Sequence, residues 1–419
     1  LPTRDNVFAT GWDVAEIADT AAAARRREIA FAPLPDDARR HAGGAARLCR
    51  LDALAPDRWR ALGGGAVEPN GYFLPEWELA VDAFSPGRTG VRALTATGND
   101  GADLIGLLPV VSAWHALRLP LPALVSADPF GTLATPLLHR DRADDAADGL
   151  MRQARAAGAH ALVLRDIPLA GPAMTAFART LAEEGLRPHV LYSQTRAWLD
   201  ATRDSGDVLH DALGAKKLRR LQRQRNRLAD HGEVVFAAAT TPDDAARALE
   251  IFLALEAGGW KGRRGTALAN SAGNAAFIRR AVRESAARGA CEIVTLHAGA
   301  TPVAAAIVPR HLDRAFYFKI GIDERFAQFS PGVQLTLDLT RYLCADAAIR
   351  TVDSMAPANH PMIDPIWRGR FAIGDVLIPL RRRDPLVPAI RAALGLRRLA
   401  RGAIRRVAHG VRRLRNERR

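Results

Sequence analysis

The sequence predicts a mixed α/β (α+β) fold made of two similar units in tandem, followed by a basic C-terminal helix. Each unit is expected to be a mixed, mostly antiparallel sheet flanked by helices. Two stretches in opposite halves of the chain read alike. Val91–Thr97 and Leu104–Val111 are joined through Gly98-Asn99-Asp100-Gly101, and Glu292–Leu296 and Val303–Val308 through His297-Ala298-Gly299-Ala300. Apolar and β-branched runs about Gly-bearing turns form hairpins. Each hairpin follows helical sequence, Pro75–Phe84 in the first case and Ala275–Arg288 in the second. A duplicated unit is the economical account of that order, and 419 residues suit two domains better than one.

In chain order, residues 1–45 mix Ala, Arg, Asp and Pro without sustained period and read as a partly ordered leader. A short strand at Leu48–Leu51 opens the first unit, residues 46–195; the second spans 196–384 and the tail 385–419. Between the hairpins, Leu209–Asp230 predicts a helix closed by Gly232, with Leu213, Leu218, Leu221 and Leu228 on one face. Lys216, Lys217, Arg219, Arg220, Arg223 and Arg227 cover the rest, as a solvated face or as a phosphate-facing one. Arg314–Ile320 is a strand by β-propensity. Gly321–Phe329 is a loop, a helix starts at Ser330, and Arg350–Ser354 is a further strand.

Composition excludes several classes. With 48% hydrophobic and 25% charged residues the chain builds cores. The first thirty residues carry Asp5, Asp13, Glu16 and Asp19 and no apolar secretory core, and the longest apolar stretch, Leu104–Trp114, is interrupted by Pro109. A cytoplasmic location is expected. Cys49, Cys291 and Cys344 lie far apart, suit small buried hydrophobes, and imply no metal. The net charge of +14 is concentrated: from Arg381 onward there are 14 Arg against Asp384 and Glu417, while the rest holds 45 basic and 43 acidic residues. The body is nearly neutral, so a general nucleic-acid surface is not favoured.

The most informative junction is Phe329-Ser330-Pro331-Gly332-Val333-Gln334-Leu335. Ser330 suits an N-cap and Pro331 the first helical position. Gly332 lacks a Cβ, so a ligand could approach the backbone. No acidic residue follows until Asp338, so the positive end of the helix dipole and its unpaired N–H groups suit a pyrophosphate. An ordinary capped helix reads the same way.

With these residues in view, the second half resembles the CelD-type acetyltransferases, a bacterial GNAT branch associated with cellulose and exopolysaccharide biosynthesis and related to the Fem-type tandem transferases. The resemblance runs from about Arg196 to Leu380. It is carried in order by Lys216–Leu228 with Gly232, Gly258-Gly259-Trp260-Lys261, Gly299–Ala304, Tyr317, Gly321-Ile322-Asp323, Phe329-Ser330-Pro331-Gly332 and Asp353. It implies an acyl-CoA donor, acetyl-CoA first, and direct transfer to an amine or hydroxyl of a sugar or polysaccharide precursor. It also implies that the first unit is a degenerate copy, which lacks the Ser-Pro-Gly helix start. Donor-binding candidates are Lys319, Ile320, Ser330, Gly332, Val333, Gln334 and Leu335, with amides from Gly332 to Leu335 on the pyrophosphate and the edge of Arg314–Ile320 on the pantetheine. Asp353 is the leading candidate base, or a buried structural Asp; His360 is a second base candidate or a loop residue; Tyr317 assists the leaving thiolate or packs. Trp260 and Lys261 wall and charge an acceptor cleft, or sit at the edge of the core. The text after Asp353, Ser354-Met355-Ala356-Pro357, departs from the family's Gly and Tyr-Lys pattern, which leaves the acceptor open.

In the tail, Leu396, Leu399, Ala403, Val407, Val411 and Leu414 recur at spacings of three and four among Arg397, Arg398, Arg401, Arg405, Arg406, Arg412, Arg413 and Arg415. Such a helix suits peripheral contact with the anionic inner face of a membrane, or is an Arg-rich terminus with no partner. Rival readings are a Fem-like transferase drawing on aminoacyl-tRNA, a nucleic-acid-binding protein using the tail and the basic helix, and an inactive GNAT scaffold.

Overall fold

The computed structural model describes residues 48–98 and 103–416, with side chains as far as 401. The leader and the turn residues 99–101 lie outside the described residues. The first unit comprises β1 (Cys49–Arg50), α1 (Pro56–Gly64), α2 (Pro75–Phe84), β2 (Arg92–Thr97), β3 (Leu104–Ser112), α3 (Ala113–Leu117), β4 (Ala123–Ser126), β5 (Leu137–Leu138), α4 (Ala143–Ala156), β6 (Ala161–Pro168) and α5 (Pro172–Glu183). The second unit holds β7 (His189–Asp200), α6 (Ser205–Ala229), β8 (Val234–Ala239), α7 (Pro242–Gly258), α8 (Trp260–Arg263), α9 (Ala272–Ala286), β9 (Cys291–Ala298), β10 (Thr301–His311), β11 (Arg314–Phe316), β12 (Lys319–Ile322), α10 (Pro331–Cys344), β13 (Thr351–Asp353) and β14 (Gly369–Pro379). The tail is α11 (Leu386–Asn416).

Among the described residues, fourteen strands join one sheet in the order β1-β2-β3-β4-β6-β14-β7-β13-β11-β10-β9-β8, with β5 on β3 and β12 on β10. The fold is the expected mixed, mostly antiparallel sheet with flanking helices, and the duplication runs deeper than the hairpins. Each unit contains one parallel pair with a helix in its crossover: β4 beside β6 around α4, and β11 beside β13 around α10. β14 crosses the boundary, pairing with β6 on one side and β7 on the other, and so fuses the units into one sheet.

The cores follow the same logic. One cluster belongs to the first unit, around Trp59, Phe73, Leu107, Leu150 and Phe177. Another lies under α6 and α10, around Leu221, Leu296, Leu335 and Trp367. A third joins the units: Trp77 meets Phe277 and Phe318 edge-on at 5.4 and 5.1 Å, and Tyr72 meets Phe316 at 5.4 Å. Edge-to-face aromatic packing adds to the area buried, so the two units do not behave as beads on a string.

Two expected elements are interrupted. The strand Arg314–Ile320 breaks at Tyr317 and Phe318 into β11 and β12. The helix over Leu209–Asp230 is found as Ser205–Ala229 but is broken at Gly214 (φ 69°, ψ 159°). Gly232 does follow the helix, and a Cβ there would stand 2.6 Å from the Cα of Gly299. Its role is therefore the close approach of two turns as well as ending the helix.

Candidate active site

The break in the strand makes the site. At its start β11 is flanked by β10 and β13. The last link to β13 is the Tyr317 N–H donating to Asp353 O at 2.9 Å. From there Phe318 N–H turns to Ile307 O, and β12 continues on β10 alone. β13 ends at Asp353 and the backbone swings away at Met355, φ 52°. A wedge opens between the two strands. The expected pantetheine edge is thus narrower than the sequence implied, because Arg314–Phe316 is covered by β13 and only the chain beyond Tyr317 is open.

α10 begins just past that wedge. Ser330 occupies the N-cap position but in left-handed backbone (φ 55°, ψ 53°), and its side chain makes no capping bond. The expected serine cap is therefore not formed, because the preceding 3-10 turn, Glu324–Phe329, ends on this residue and sets its backbone. The first helical bond is Gln334 N–H to Ser330 O, 3.0 Å. Of the four amides expected to face an anion, Gln334's is used in this way and Leu335 is fully buried. Gly332 and Val333 have N–H groups with no acceptor among the described residues, but Gly332 is buried and only Val333 is partly exposed. The missing Cβ of Gly332 serves packing: a Cβ would meet Met362 Sδ at 3.2 Å, Ile322 at 3.3 Å and Ile320 at 3.4 Å. Gly332→Glu is accordingly expected to lower the melting temperature as well as ligand affinity, because the new side chain must displace all three neighbours. Thermal unfolding without ligand measures that loss.

A basic helix flanks this start. Gln334 Nε2 donates to Leu221 O (2.9 Å), and one turn later Arg225 pairs with Asp338 (2.7 Å), so α6 and α10 run in the same direction. That register brings Lys217 level with the first turn of α10. Lys217 has its pKa lowered by partial burial and by Arg220 and Arg368 nearby, a cationic group with no carboxylate among its perturbing neighbours. The first unit differs at the corresponding helix, where Asp144 and Asp145 occupy the first turn of α4 and oppose an anion.

At the mouth of the wedge, Lys261 Nζ donates to Ile320 O at 3.0 Å and to Glu256 Oε1 at 3.3 Å. Lys319 Nζ approaches the same Oε1 at 3.7 Å, and Glu256 Oε2 accepts from Leu268 N–H at 2.8 Å. Burial pushes the Glu256 carboxyl up, but Lys319 and Lys261 outweigh it and hold the pKa below its usual value. Burial and Lys319 bring Lys261 down to about 8 against the pull of Glu256. Two lysines share one carboxylate, so the mouth keeps a positive charge. His360 lies within electrostatic reach of Lys261; burial lowers its pKa, Asp364 opposes that, and Lys261 adds to it. Its Nδ1 accepts from Ile363 N–H at 3.3 Å, so in that neutral tautomer Nε2 carries the hydrogen. Trp260 is half-buried, with its N–H on Glu324 Oε1 (2.6 Å) and Arg264 over its ring at 5.2 Å.

The other candidates are committed to the interior. Tyr317 is buried, its hydroxyl 3.1 Å from Thr336 Oγ1, which itself donates to Gly332 O. Burial raises that phenol's pKa. Asp353 is 2% exposed; Oδ2 pairs with Arg196 Nη1 at 3.2 Å and Oδ1 accepts from Met355 N–H at 2.8 Å. Arg196, 1% exposed, also donates to Thr132 O at 2.7 Å, and Thr132 Oγ1 donates to Met355 O. The structure therefore joins Lys261, Lys319 and Ile320 at the mouth, with His360 within electrostatic reach of Lys261, and sets Tyr317 and Asp353 behind it. Arg196, Glu256, Thr132 and Phe130 escaped sequence reasoning. Phe130, in left-handed backbone (φ 61°), brings the first unit to within 5.8 Å of Lys319 Nζ. Arg196 had a signal, a charge beside the apolar Ala197-Trp198-Leu199 of a strand, whereas the others have none short of the fold. Among the described residues no group of three His, Cys, Asp or Glu is arranged to hold a metal.

Residues 215–360 match the model of the acetyltransferase (GNAT) domain. Among solved structures, the fold is similar to that of FemX, with a TM-score of 0.51 at 12% identity, over 81% of this chain and 98% of that one. Weaker similarity is found to the C-terminal domain of a putative lysylphosphatidylglycerol synthetase from Agrobacterium fabrum (TM-score 0.48, 13% identity, 81% and 95% covered). It is also found to a tandem GNAT protein of the clavulanic acid biosynthesis pathway (0.39, 16%, 78% and 96%). No curated protein matches. The matched domain contains the wedge, α10 and the lysine pair, and the protein is an acyltransferase of the GNAT fold.

Proposed function

We propose that the protein transfers an acyl group, acetyl in the simplest case, from coenzyme A to an amine or hydroxyl of a sugar or polysaccharide precursor. The observation that carries this reading is the wedge beyond Tyr317, which leaves the edge of β12 without its β13 neighbour directly ahead of a helix start where the amides of buried Gly332 and partly exposed Val333 have no acceptor among the described residues. The donor's pyrophosphate would rest on Gly332 and Val333 with Lys217 nearby, and its pantetheine along β12. The acceptor would enter between Trp260 and Lys261 on one side and Phe130 of the first unit on the other. Its nucleophile attacks the thioester carbonyl while its proton passes to His360, which accepts it at Nε2 in the tautomer that gives up the Nδ1 bond to Ile363 N–H; the C–S bond then breaks, and protonated Lys261 supplies a proton to the departing thiolate. Tyr317, tied to α10 through Thr336, positions the helix. The resemblance to CelD-type sequences supports the saccharide acceptor.

Calorimetric titration with acetyl-CoA tests the donor. Low-micromolar binding is expected, weakened about fivefold by Lys217→Glu, the effect of roughly 1 kcal/mol expected when an exposed charge is reversed beside a phosphate. The exposed basic face of α6 favours a second reading, an aminoacyl-tRNA donor. It gains if acetyl-CoA does not bind and charged tRNA does.

A further inference from the structure

We propose that α11 is a membrane-docking helix that seats the protein on an anionic phospholipid bilayer. The first turns of α11 are anchored: Val387, Ile390 and Leu394 pack with Ala113, Val125, Val163 and Leu377. Arg398 then donates to Leu191 O at 2.8 Å and lies 3.9 Å from the Tyr192 ring. The helix is thus held to the body over its first turns and continues to Asn416.

Past Gly395 its apolar residues change sides. At 3.6 residues per turn, Leu396 and Leu399 lie roughly 150° around the helix from the Val387–Ile390–Leu394 stripe. They are 67% and 69% exposed. The sequence keeps their spacing at Ala403, Val407, Val411 and Leu414. The stripe that meets the body at Val387, Ile390 and Leu394 is continued at the same spacing by Arg398, Arg401 and Arg405. The helix therefore has an apolar side for the protein at its start and another, away from the protein, at Leu396 and Leu399, whose spacing the sequence repeats to Leu414. Adjacent to the anchor, α3 exposes Trp114 (56%), and a cavity of about 410 Å³ opens between Val190, Leu191 and Gly395.

Charge identifies the occupant. Fourteen Arg and two acidic residues from Arg381 onward give this segment nearly all the protein's net charge. The tail of a second copy, laid antiparallel or parallel against this one, would carry the same arginines and be repelled. An apolar stripe with arginines on its other side and an indole nearby matches the interface of a bilayer, where each basic residue is drawn to anionic headgroups. No helix among the described residues is long and apolar enough to cross a membrane, so α11 lies on the surface.

Flotation of the full-length protein with phosphatidylcholine vesicles, with and without phosphatidylglycerol, tests this. Capture by the anionic vesicles alone, weakened by salt and reduced about tenfold or more in Leu396→Asp/Leu399→Asp, is expected. The far-UV circular dichroism and melting temperature of that variant should match the parent, because neither leucine is buried. Equal capture by neutral vesicles, no capture, or full capture of the double variant would overturn the proposal. So would a dimer in light scattering that the double variant dissolves, or binding to an RNA oligomer in place of vesicles.

Discussion

Asp353→Ala is expected to destabilise the protein by about 3–5 kcal/mol, the usual loss when one member of a buried ion pair is removed and its partner stays behind uncompensated. The guanidinium left behind would be that of Arg196, 1% exposed, with Nε already lacking a partner and only the Thr132 carbonyl and Met355 Sδ beside its other nitrogens. The loss should appear as a lower urea midpoint in the absence of any substrate. Replacing both residues, Arg196→Met with Asp353→Leu, removes the stranded charge and should recover much of the loss. A catalytic base behaves differently: its removal lowers turnover and leaves the folded state intact. If Asp353→Ala melts with the parent but has lost turnover, Asp353 belongs to the chemistry and the assignment to His360 fails.

That pair also explains why the units cooperate. Arg196 lies on β7, Asp353 ends β13, and Thr132 belongs to the loop after β4 in the first unit. One buried charge pair with one backbone carbonyl fixes the foot of the wedge in the second unit against a loop of the first. The first unit therefore supplies a wall, through Phe130 and Thr132, even though its own helix start carries Asp144 and Asp145 and is unsuited to a phosphate.

The outline of the fold was legible because local signals sufficed for it. The apolar and β-branched runs at Val91–Thr97 and Glu292–Leu296, the Gly-bearing turns and the Pro-initiated helix at Pro75 are all decided within a few residues. The broken strand was not legible. Arg-Ala-Phe-Tyr-Phe-Lys-Ile has uniform β-propensity, and what parts it at Tyr317 is the departure of β13, a strand more than thirty residues further on. The Ser330 cap failed for a related reason: propensity sees a serine before a proline but not the 3-10 turn that delivers it in left-handed backbone. The site was half legible. Lys261 and Lys319 could be named, yet their shared partner Glu256 lies in the last turn of α7 and reads as a surface residue until the fold buries it.

His360→Asn should lower kcat by about 10²–10³-fold with little change in acetyl-CoA affinity, the usual cost of losing a general base. The pH profile of kcat/KM makes the assignment specific. Burial lowers the pKa of His360, with Lys261 adding to it and Asp364 opposing. The neutral, proton-accepting imidazole therefore persists to lower pH than for an exposed histidine, and activity should rise through a midpoint below the ordinary value of about 6.5. Lys261 sets the other limb. Its pKa is brought down to about 8 by burial and Lys319, so the ammonium that protonates the thiolate is lost as pH rises through 8, and activity should fall there. The resulting bell has its acid limb removed by His360→Asn. Lys261→Arg, which stays charged, should move the alkaline limb upward out of that range. A His360→Asn enzyme within twofold of the parent, or an alkaline limb unmoved in Lys261→Arg, would assign the proton transfers to other groups. Because the charge on Lys261 acts on the His360 ring, the two limbs should respond to each other: losing that charge removes one of the influences that keep His360 neutral.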